Sequence, residues 1–279
     1  MKEITDGVFI ETEYLGCNIG CVVTEKGPVL IDAPTLPHEV SDLRNELRRL
    51  SPLDIAYLVY THGHFDHLIG GAHLTGRTIA HRGAADEIAY LKENLPAEVS
   101  RYVPDIYQQY KEAFDNAEIA LPQVVFDREL KLCMGDRTLV LFYAGGHSAD
   151  SLAVYLPEER VLFAGDNIVS GMPLVTPNSL FGEWIDFLHR VEVMEVDIIA
   201  PGHGPVCGME TVTNTRLYFA AMRDRVSSLI GAGATREEVV SETDLTACLP
   251  VPTDETVRQQ VASTVAAMYE QVMKGTLGV

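Results

Sequence analysis

Basic residues are scarce in this chain of 279 residues. It carries 21 Lys and Arg against 40 Asp and Glu, which gives a formal net charge of −19. Affinity for nucleic acids comes largely from clustered Lys and Arg that neutralise phosphates, so this balance disfavours a nucleic-acid partner. We expect a small-molecule substrate instead.

Long apolar runs are absent as well. The sequence contains no stretch of about eighteen apolar residues, and residues 1–7 contain no apolar core of a signal peptide. The five cysteines are odd in number and irregularly spaced, which disfavours a disulfide framework; they stand at positions 17, 21, 133, 207 and 248. We therefore predict a soluble, cytoplasmic protein that has reduced thiols and no membrane partner.

What the chain does have is a dense group of candidate metal ligands: His62, His64, Asp66 and His67. They follow the apolar run 55–60, which is short and rich in β-branched and aromatic side chains and so predicts a buried strand. His62 and His64 alternate as on an extended backbone and can face one point, whereas Asp66 and His67 lie past the bend and can reach a second. Imidazole and carboxylate together suit borderline-soft divalent metals such as zinc. The segment therefore predicts two metal ions.

This pattern, His-x-His-x-Asp-His after a strand, resembles the signature of the metallo-β-lactamase-fold superfamily. Three further segments match the family's motifs in order and type: 145–151 (Gly-Gly-His-Ser-Ala-Asp-Ser), 163–166 (Phe-Ala-Gly-Asp) and 200–204 (Ala-Pro-Gly-His-Gly). The resemblance implies the complete set of metal ligands. One metal would be held by His62, His64 and His147, the other by Asp66, His67 and His203, with Asp166 bridging the two.

The resemblance also implies an α/β fold, an αββα sandwich in which two β-sheets lie between helices and the metals sit at one edge. We expect residues 1–208 to form the catalytic domain, with a helical insertion at 96–122, and residues 209–279 to form a C-terminal helical extension packed on it. In the extension, Thr235 and Glu238 have the spacing of a capping box. A helix at 253–273 would carry one apolar stripe, formed by Val257, Val261, Val265, Met268 and Val272.

Two prolines divide the predicted insertion. A helix over 84–95 is expected to stop before Pro96, and Pro104 suits the first turn of another helix. That second helix would place Ile106, Tyr107, Tyr110 and Phe114 on one face, with Tyr102 just before it. This aromatic face fits core packing, a lid over the substrate pocket or a homodimer contact, and the sequence does not separate these alternatives.

Two adjacent metals held by five imidazoles and two carboxylates indicate hydrolysis. Such a site lowers the pKa of a bridging water towards neutrality, while an open coordination position polarises a carbonyl or phosphoryl oxygen. Asp66 is the candidate catalytic residue, because it would orient the nucleophile and could accept its proton. Asp150 would either fix an imidazole tautomer or be exposed in a turn. Zinc is the expected metal, and iron or manganese also suit this ligand mixture.

Departures from known subfamilies narrow the substrate. Asp166 stands where metallo-β-lactamases usually carry Cys or Ser, which disfavours β-lactamase activity. Glyoxalase II-like enzymes share the aspartate but follow it with a Gly-Cys-Gly-Arg-like stretch, and many lactonases carry Tyr where this chain has Val169. The resemblance therefore implies a dinuclear hydrolase of an ester, thioester or lactone. The alternatives are an iron-dependent persulfide dioxygenase and a non-catalytic or regulatory small-molecule-binding member.

Two apolar segments are expected to wall the substrate pocket. One is 167–181, with Met172, Pro173, Leu174, Val175 and Leu180, and the other is the aromatic face of 102–114. Removing apolar substrate surface from water contributes about 25 cal/mol per Å². We therefore expect kcat/KM to rise with acyl-chain length, and Tyr107→Ala or Tyr110→Ala to weaken that rise.

Overall fold

The computed structural model describes residues 1–74, 77–172, 174, 178–243, 245 and 255–277. In these ranges the strands are β1 (Lys2–Thr5), β2 (Val8–Glu11), β3 (Ile19–Val22), β4 (Val29–Ile31), β5 (Tyr57–Val59), β6 (Thr78–His81), β7 (Val124–Phe126), β8 (Glu129–Cys133), β9 (Thr138–Tyr143), β10 (Leu152–Leu156), β11 (Val161–Val169) and β12 (Ile198–His203). The α-helices are α1 (Pro37–Leu50), α2 (Ala84–Tyr102), α3 (Pro104–Gln109), α4 (Lys111–Asp115), α5 (Phe181–Glu192), α6 (Met209–Gly231), α7 (Arg236–Glu242) and α8 (Glu255–Lys274). Two 3₁₀ turns, Phe65–His67 and Ile69–His73, follow β5.

The strands form two sheets, one with the order β1 to β7 and the other with the order β12 to β8. In the first sheet β1 to β4 are antiparallel neighbours, and β4 to β7 are parallel neighbours. The second sheet is antiparallel except for the parallel pair β11 and β12. In parallel strands the carboxyl ends meet at one edge of the sheet, which is where α/β proteins build their sites.

Apolar side chains fill the space between the two sheets. The first sheet contributes Val22, Ile31 and Val59, and the second contributes Leu141, Val154 and Phe163. On the outer face of the first sheet lie apolar residues of α1 and α2, among them Leu43 and Ile88. On the outer face of the second lie residues of α5 and α6, among them Trp184 and Phe219. This layer order confirms the predicted αββα sandwich.

The C-terminal helices share a core with the second sheet. Val257, Val261, Val265 and Met268 are buried in the same cluster as Trp184, as the apolar stripe predicted. The capping box is also present, because Thr235 Oγ1 accepts from Glu238 N and Glu238 Oε2 accepts from Thr235 N. Residues 253 and 254 of the predicted helix, and Cys248, lie outside the described residues. None of the described helices has both the length and the apolar content needed to cross a bilayer.

The predicted helix end before Pro96 was wrong, because α2 continues through Pro96 to Tyr102. A proline in a helix interior removes a hydrogen-bond donor and usually disrupts the helix. Here Leu91, Leu95 and Val99 follow one another at spacings of four, and all three are buried in one cluster with residues of the first sheet. Burial on both sides of Pro96 offsets the lost hydrogen bond, an effect that local sequence rules do not include.

Candidate metal centre

The seven predicted ligands meet at one edge of the sandwich, where β5, β9, β11 and β12 end or approach their ends. His62 and His64 follow β5, and Asp66 and His67 lie in the first 3₁₀ turn. His147 follows β9, Asp166 lies within β11, and His203 is the last residue of β12. The parallel register of β11 and β12 sets Gly202 so close to Asp166 that an added Cβ would lie 2.0 Å from Asp166 Oδ1. A glycine is therefore required there.

One group of side chains contains His62, His64, His147 and Asp166. His147 Nε2 lies 3.0 Å from His64 Nδ1 and 3.5 Å from Asp166 Oδ2, and His62 Nε2 lies 3.9 Å from Asp166 Oδ2. Nitrogen and oxygen ligands bind zinc at about 2.0–2.2 Å, so two ligand atoms on one ion are at most about 4.4 Å apart. These separations fit a shared ion.

A second group contains Asp66, His67 and His203. Asp66 Oδ2 lies 3.3 Å from His203 Nε2 and 3.7 Å from His67 Nε2. Asp166 also reaches this group, with Oδ1 3.3 Å from His67 Nε2 and Oδ2 3.3 Å from His203 Nε2. Asp166 therefore lies between the two groups, in the position that the sequence motifs predict for a bridging ligand.

Three buried atoms at the centre lack a hydrogen-bond partner within the described residues: His62 Nε2, His67 Nε2 and Asp166 Oδ1. Buried polar atoms are nearly always paired, so three unpaired atoms facing one region need an explanation. The other ring nitrogen of each histidine already has a polar neighbour. His62 Nδ1 lies 3.1 Å from Thr61 Oγ1, and His67 Nδ1 lies 2.8 Å from Asp32 Oδ2. A divalent ion that displaced any proton from these Nε2 atoms would bind them together with the carboxylate oxygen, so the donor set fits a metal.

Asp32 is a site residue that sequence reasoning missed. It is 2% exposed and accepts three hydrogen bonds, from Thr61 N (2.7 Å), Thr61 Oγ1 (2.8 Å) and His67 Nδ1 (2.8 Å). Because β4 and β5 are parallel neighbours, the residues that follow them lie side by side. The bond to His67 fixes the tautomer that turns Nε2 towards the centre. The signal in the sequence that could have identified Asp32 is its position directly after the apolar run Val29–Ile31, which predicts a strand.

Two more polar side chains hold the ligand loops. Asp150 is buried, and its Oδ2 accepts from the backbone N of Gly63 at 2.7 Å. It fixes the backbone between the first two histidines. Asp150 is therefore not an exposed turn residue, and within the described residues its carboxylate holds the Gly63 backbone rather than an imidazole, so neither predicted role is found. Asn167 was not predicted; its Oδ1 accepts from His147 N at 2.7 Å, and its Nδ2 donates to Gly145 O at 2.9 Å.

The C-terminal helix α8 fastens the His147 loop from outside through Gln271. The Gln271 Oε1 atom accepts from Phe181 N at 3.0 Å, and its Nε2 donates to Ser179 O. Ser179 Oγ in turn donates to the carbonyl oxygen of His147 at 3.1 Å. We call this chain of hydrogen bonds the Gln271 clasp. It connects a helix that supplies none of the seven predicted ligands to the backbone of one of them.

The two groups differ in their electrostatics. Burial lowers the pKa of His147 to about 4 and that of His62 well below 6.5, so both imidazoles are neutral, the form that binds metal. Burial also acts to lower the pKa of His203, but the carboxylates of Asp166 and Asp66 outweigh it and raise the value to about 10. An ion that enters the second group therefore displaces a proton. Burial acts to raise the pKa of Asp66, but His67 and His203 hold it at about 2.

A cavity of about 530 Å³ opens beside the centre. The ligands on its floor are His64, Asp66, His147, Asp166 and His203, and its walls are Phe65, Glu87, Leu91, Glu98, Tyr102, Val103, Val169, Met172, Asn178 and Gln260. Four of these come from one face of α2, where Glu87, Leu91, Glu98 and Tyr102 follow at helical spacings. Val169 and Met172 of the predicted wall line the cavity; Pro173 and Val175 lie outside the described residues.

The aromatic face of residues 102–114 is divided among three places. Tyr102 and Val103 line the cavity, whereas Tyr107 and Phe114 are buried and stack with ring centroids 6.2 Å apart. Tyr110 lines a separate cavity beside the start of α1. The expectation that Tyr107 and Tyr110 wall the substrate pocket was therefore wrong. Helix α3 starts at Pro104 as predicted but ends at Gln109, and α4 starts anew at Lys111, so one helical face does not run from Ile106 to Phe114.

The sequence is similar to that of known proteins over most of its length. A Beta-lactamase-like protein 2 homolog from Caenorhabditis elegans is 26% identical over 228 residues, which cover 81% of this chain and 68% of that protein. The acyl-coenzyme A thioesterase MBLAC2 from Gallus gallus is 26% identical over 219 residues, which cover 73% of this chain and 76% of that protein.

Among solved structures, the stereoselective inverting sec-alkylsulfatase Pisa1 from Pseudomonas sp. superposes with a TM-score of 0.73 at 17% identity. The match covers 96% of this chain but only 49% of the alkylsulfatase, so this chain spans about half its length, and the likeness shows the fold alone. The family model of the metallo-beta-lactamase superfamily matches residues 13–203, which is more than half of the chain and includes all seven predicted ligands. The chain therefore belongs to the metallo-beta-lactamase superfamily, as its motifs predicted.

Proposed function

We propose that this chain is a dinuclear metal-dependent hydrolase of an ester, thioester or lactone. The observation that carries the proposal is the position of Asp166, whose oxygens lie 3.3–3.9 Å from imidazole nitrogens of both ligand groups. His62, His64 and His147 would hold one ion, and Asp66, His67 and His203 the other. When bound, such a pair of ions lowers the pKa of a water molecule and polarises a substrate oxygen. We propose zinc, because it suits mixed imidazole and carboxylate ligands.

The chain's own residues would position the reactants. Asp66 lines the cavity and its pKa of about 2 keeps it ionised, so it is an acceptor that can orient the attacking water. The apolar wall residues Leu91, Val169 and Met172 would hold the acyl chain and exclude bulk water. The chicken relative is named an acyl-coenzyme A thioesterase, which supports an acyl substrate. This support extends to the acyl portion alone, because coenzyme A is a polyanion and the acidic net charge of this chain disfavours polyanions.

The proposal is tested by metal analysis combined with a substrate panel. We expect about two transition-metal ions per chain, since the seven side chains form two groups around one shared carboxylate. Elemental analysis of the purified protein measures this ratio, and turnover of aryl esters, acyl thioesters and lactones in ¹⁸O-labelled water measures hydrolysis with the label in the product acid. Saturation at one ion would contradict the dinuclear centre. Oxygen consumption with a persulfide, without turnover of any panel member, would contradict hydrolysis.

Tyr102 is expected to contribute to acyl-chain selectivity. It is 54% exposed at the end of α2 and lines the cavity. A fully buried methylene contributes about 0.8 kcal/mol, or roughly fourfold in kcat/KM. In Tyr102→Ala, kcat/KM for octanoyl esters should fall several-fold while kcat/KM for acetyl esters stays nearly constant, and a homologous series of 4-nitrophenyl esters measures both.

Tyr110→Ala is the matched control for this experiment. It also removes a tyrosine side chain, but Tyr110 lines the separate cavity. The wild-type dependence of kcat/KM on acyl-chain length should therefore persist. A Tyr102→Ala protein with the wild-type dependence, or a Tyr110→Ala protein that loses it, would show that the acyl chain lies elsewhere.

A further inference from the structure

The cavity beside the metal centre is rich in hydrogen-bond acceptors on the wall that α2 and α8 form. Glu87 and Glu98 of α2 and Gln260 of α8 all line it. Within the described part of the chain, no Lys or Arg is among the residues that line this cavity. Apart from the two metal ions of the proposed centre, an anionic substrate would therefore meet carboxylates on this wall without a matching cation, whereas a cationic one would meet two acidic groups.

The two glutamates are placed over the centre by the geometry of α2. A Cβ added at Gly63 would lie 2.9 Å from Glu87 Cγ, so the stem of Glu87 packs directly on the loop between His62 and His64. Glu98 is eleven positions further along, three turns of the same helical face. Its side chain is only 15% exposed, accepts from Tyr90 OH at 2.9 Å, and has Arg101 4.0 Å away. Arg101 is 71% exposed, so water screens this pair and the charge of Glu98 is only partly offset.

The glutamates also oppose each other electrostatically. Burial raises the pKa of Glu87, the nearby carboxylates of Asp150 and Glu98 raise it further, and His64 opposes both effects. Like charges held on one wall of a cavity favour the arrival of a counter-charge. A cation bound in the cavity would offset the repulsion between the two carboxylates, which is only partly compensated in the protein without a ligand.

Gln260 gives an independent indication of a hydrogen-bond donor. Its Oε1 atom is buried and has no hydrogen-bond partner within the described residues. A buried amide oxygen without a donor costs free energy, and such atoms are normally satisfied by protein, water or ligand. Because Gln260 lines the same cavity as the two glutamates, a ligand with several N–H donors would satisfy it.

We propose that the substrate carries a primary ammonium group on its acyl portion, and that Glu87, Glu98 and Gln260 receive this group. This inference rests on the proposed hydrolase function and names its substrate class. An ammonium offers three donors and a compact positive charge, which match two carboxylates and one amide oxygen. Leu91, between the glutamates on the same helical face, would contact the methylene chain that joins the ammonium to the scissile carbonyl.

The test compares three phenyl esters of similar acyl length, made from 6-aminohexanoic, heptanoic and adipic acids. A partly exposed ion pair contributes about 0.2–1 kcal/mol, which is up to about fivefold in kcat/KM. With two carboxylates we expect kcat/KM for the amino ester to exceed that for the heptanoyl ester about tenfold, and the adipoyl ester to be the poorest substrate. Glu87→Gln and Glu98→Gln should each lower the amino-to-heptanoyl ratio about threefold, and Gln260→Leu should lower it as well.

Glu93→Gln is the matched control, because it makes the same charge change on the exposed side of α2, away from the cavity. It should leave the ratio unchanged. A wild-type enzyme that hydrolyses the heptanoyl ester but shows no preference for the amino ester overturns this inference and leaves the hydrolase function intact. So does an equal fall of the ratio in Glu93→Gln and Glu87→Gln, because the preference would then come from net charge. Failure to hydrolyse any ester, thioester or lactone overturns the hydrolase function itself, and the inference with it.

Discussion

Replacing Asp166 with Asn is expected to lower kcat/KM by more than about hundredfold, since loss of a residue behind a metal ligand alone costs 10–100-fold. The substitution keeps the shape of the side chain but removes an anionic group that lies 3.3–3.9 Å from imidazole nitrogens of both ligand groups. It would also place an amide where His67 Nε2 and His203 Nε2 now meet carboxylate oxygens. Two dications held close together without a shared anion would repel each other, so the bound metal should fall below two ions per chain.

Elemental analysis after dialysis and kcat/KM on the best ester measure the two effects, and circular dichroism checks that the variant is folded. Asp186→Asn is the control. Asp186 is an exposed residue of α5, so this substitution makes the same chemical change away from the centre. An Asp166→Asn protein that retains two ions and wild-type turnover would remove Asp166 from the bridging position.

The second large effect is expected at Asp32. Asp32→Ala removes the acceptor of three buried hydrogen bonds. Thr61 N, Thr61 Oγ1 and His67 Nδ1 each lose their bond to the Asp32 carboxylate. Removing one partner of a buried charged pair typically costs about 3–5 kcal/mol, and we expect the free energy of unfolding to fall by that amount. Asp32 also has a φ of +62°, a conformation that Asp and Asn tolerate better than Ala. Metal affinity of the second ligand group should fall about 10–100-fold as the orientation of His67 is lost.

Urea unfolding of the metal-free protein separates the structural effect from metal binding, and metal titration then measures the affinity. Asp32→Asn should be intermediate, because its amide oxygen can still accept from Thr61 N and its backbone accepts the same φ. Asp42→Ala, on the exposed face of α1, serves as the control. An Asp32→Ala protein with the unfolding free energy and metal content of the wild type would show that the carboxylate holds neither Thr61 nor His67 in place.

The predicted ligands were accessible from sequence because their chemistry is local. His62, His64, Asp66 and His67 lie within six residues, and each remaining ligand follows or ends an apolar run that predicts a strand. The αββα layers follow from the same alternation of strands and helices. Asp32 and Asn167 were missed for the opposite reason. Their partners lie 29 and 20 residues away in the sequence, and the contacts exist only once the sheets have formed.

The helical periodicity of apolar residues was similarly limited as a guide to which residues line the cavity. It placed Tyr107 and Phe114 on one aromatic face but left core packing, a lid and a homodimer contact open. In the structure both residues are buried in the core under the first sheet. The helix stop at Pro96 failed because the burial of Leu95 and Val99 is a property of the assembled fold. Pocket walls are therefore harder to predict than ligands, since they depend on how whole helices pack.

The Gln271 clasp has a consequence for how this centre can diverge during evolution. Substitutions in α8 can reach His147 through the carbonyl oxygen and the hydroxyl of Ser179 without altering any metal-binding motif. Selection can then adjust how firmly one histidine is held while every signature residue stays fixed. Two descendants with identical motifs could differ in metal retention or turnover through their C-terminal helices alone, and comparison of the motifs would not distinguish them.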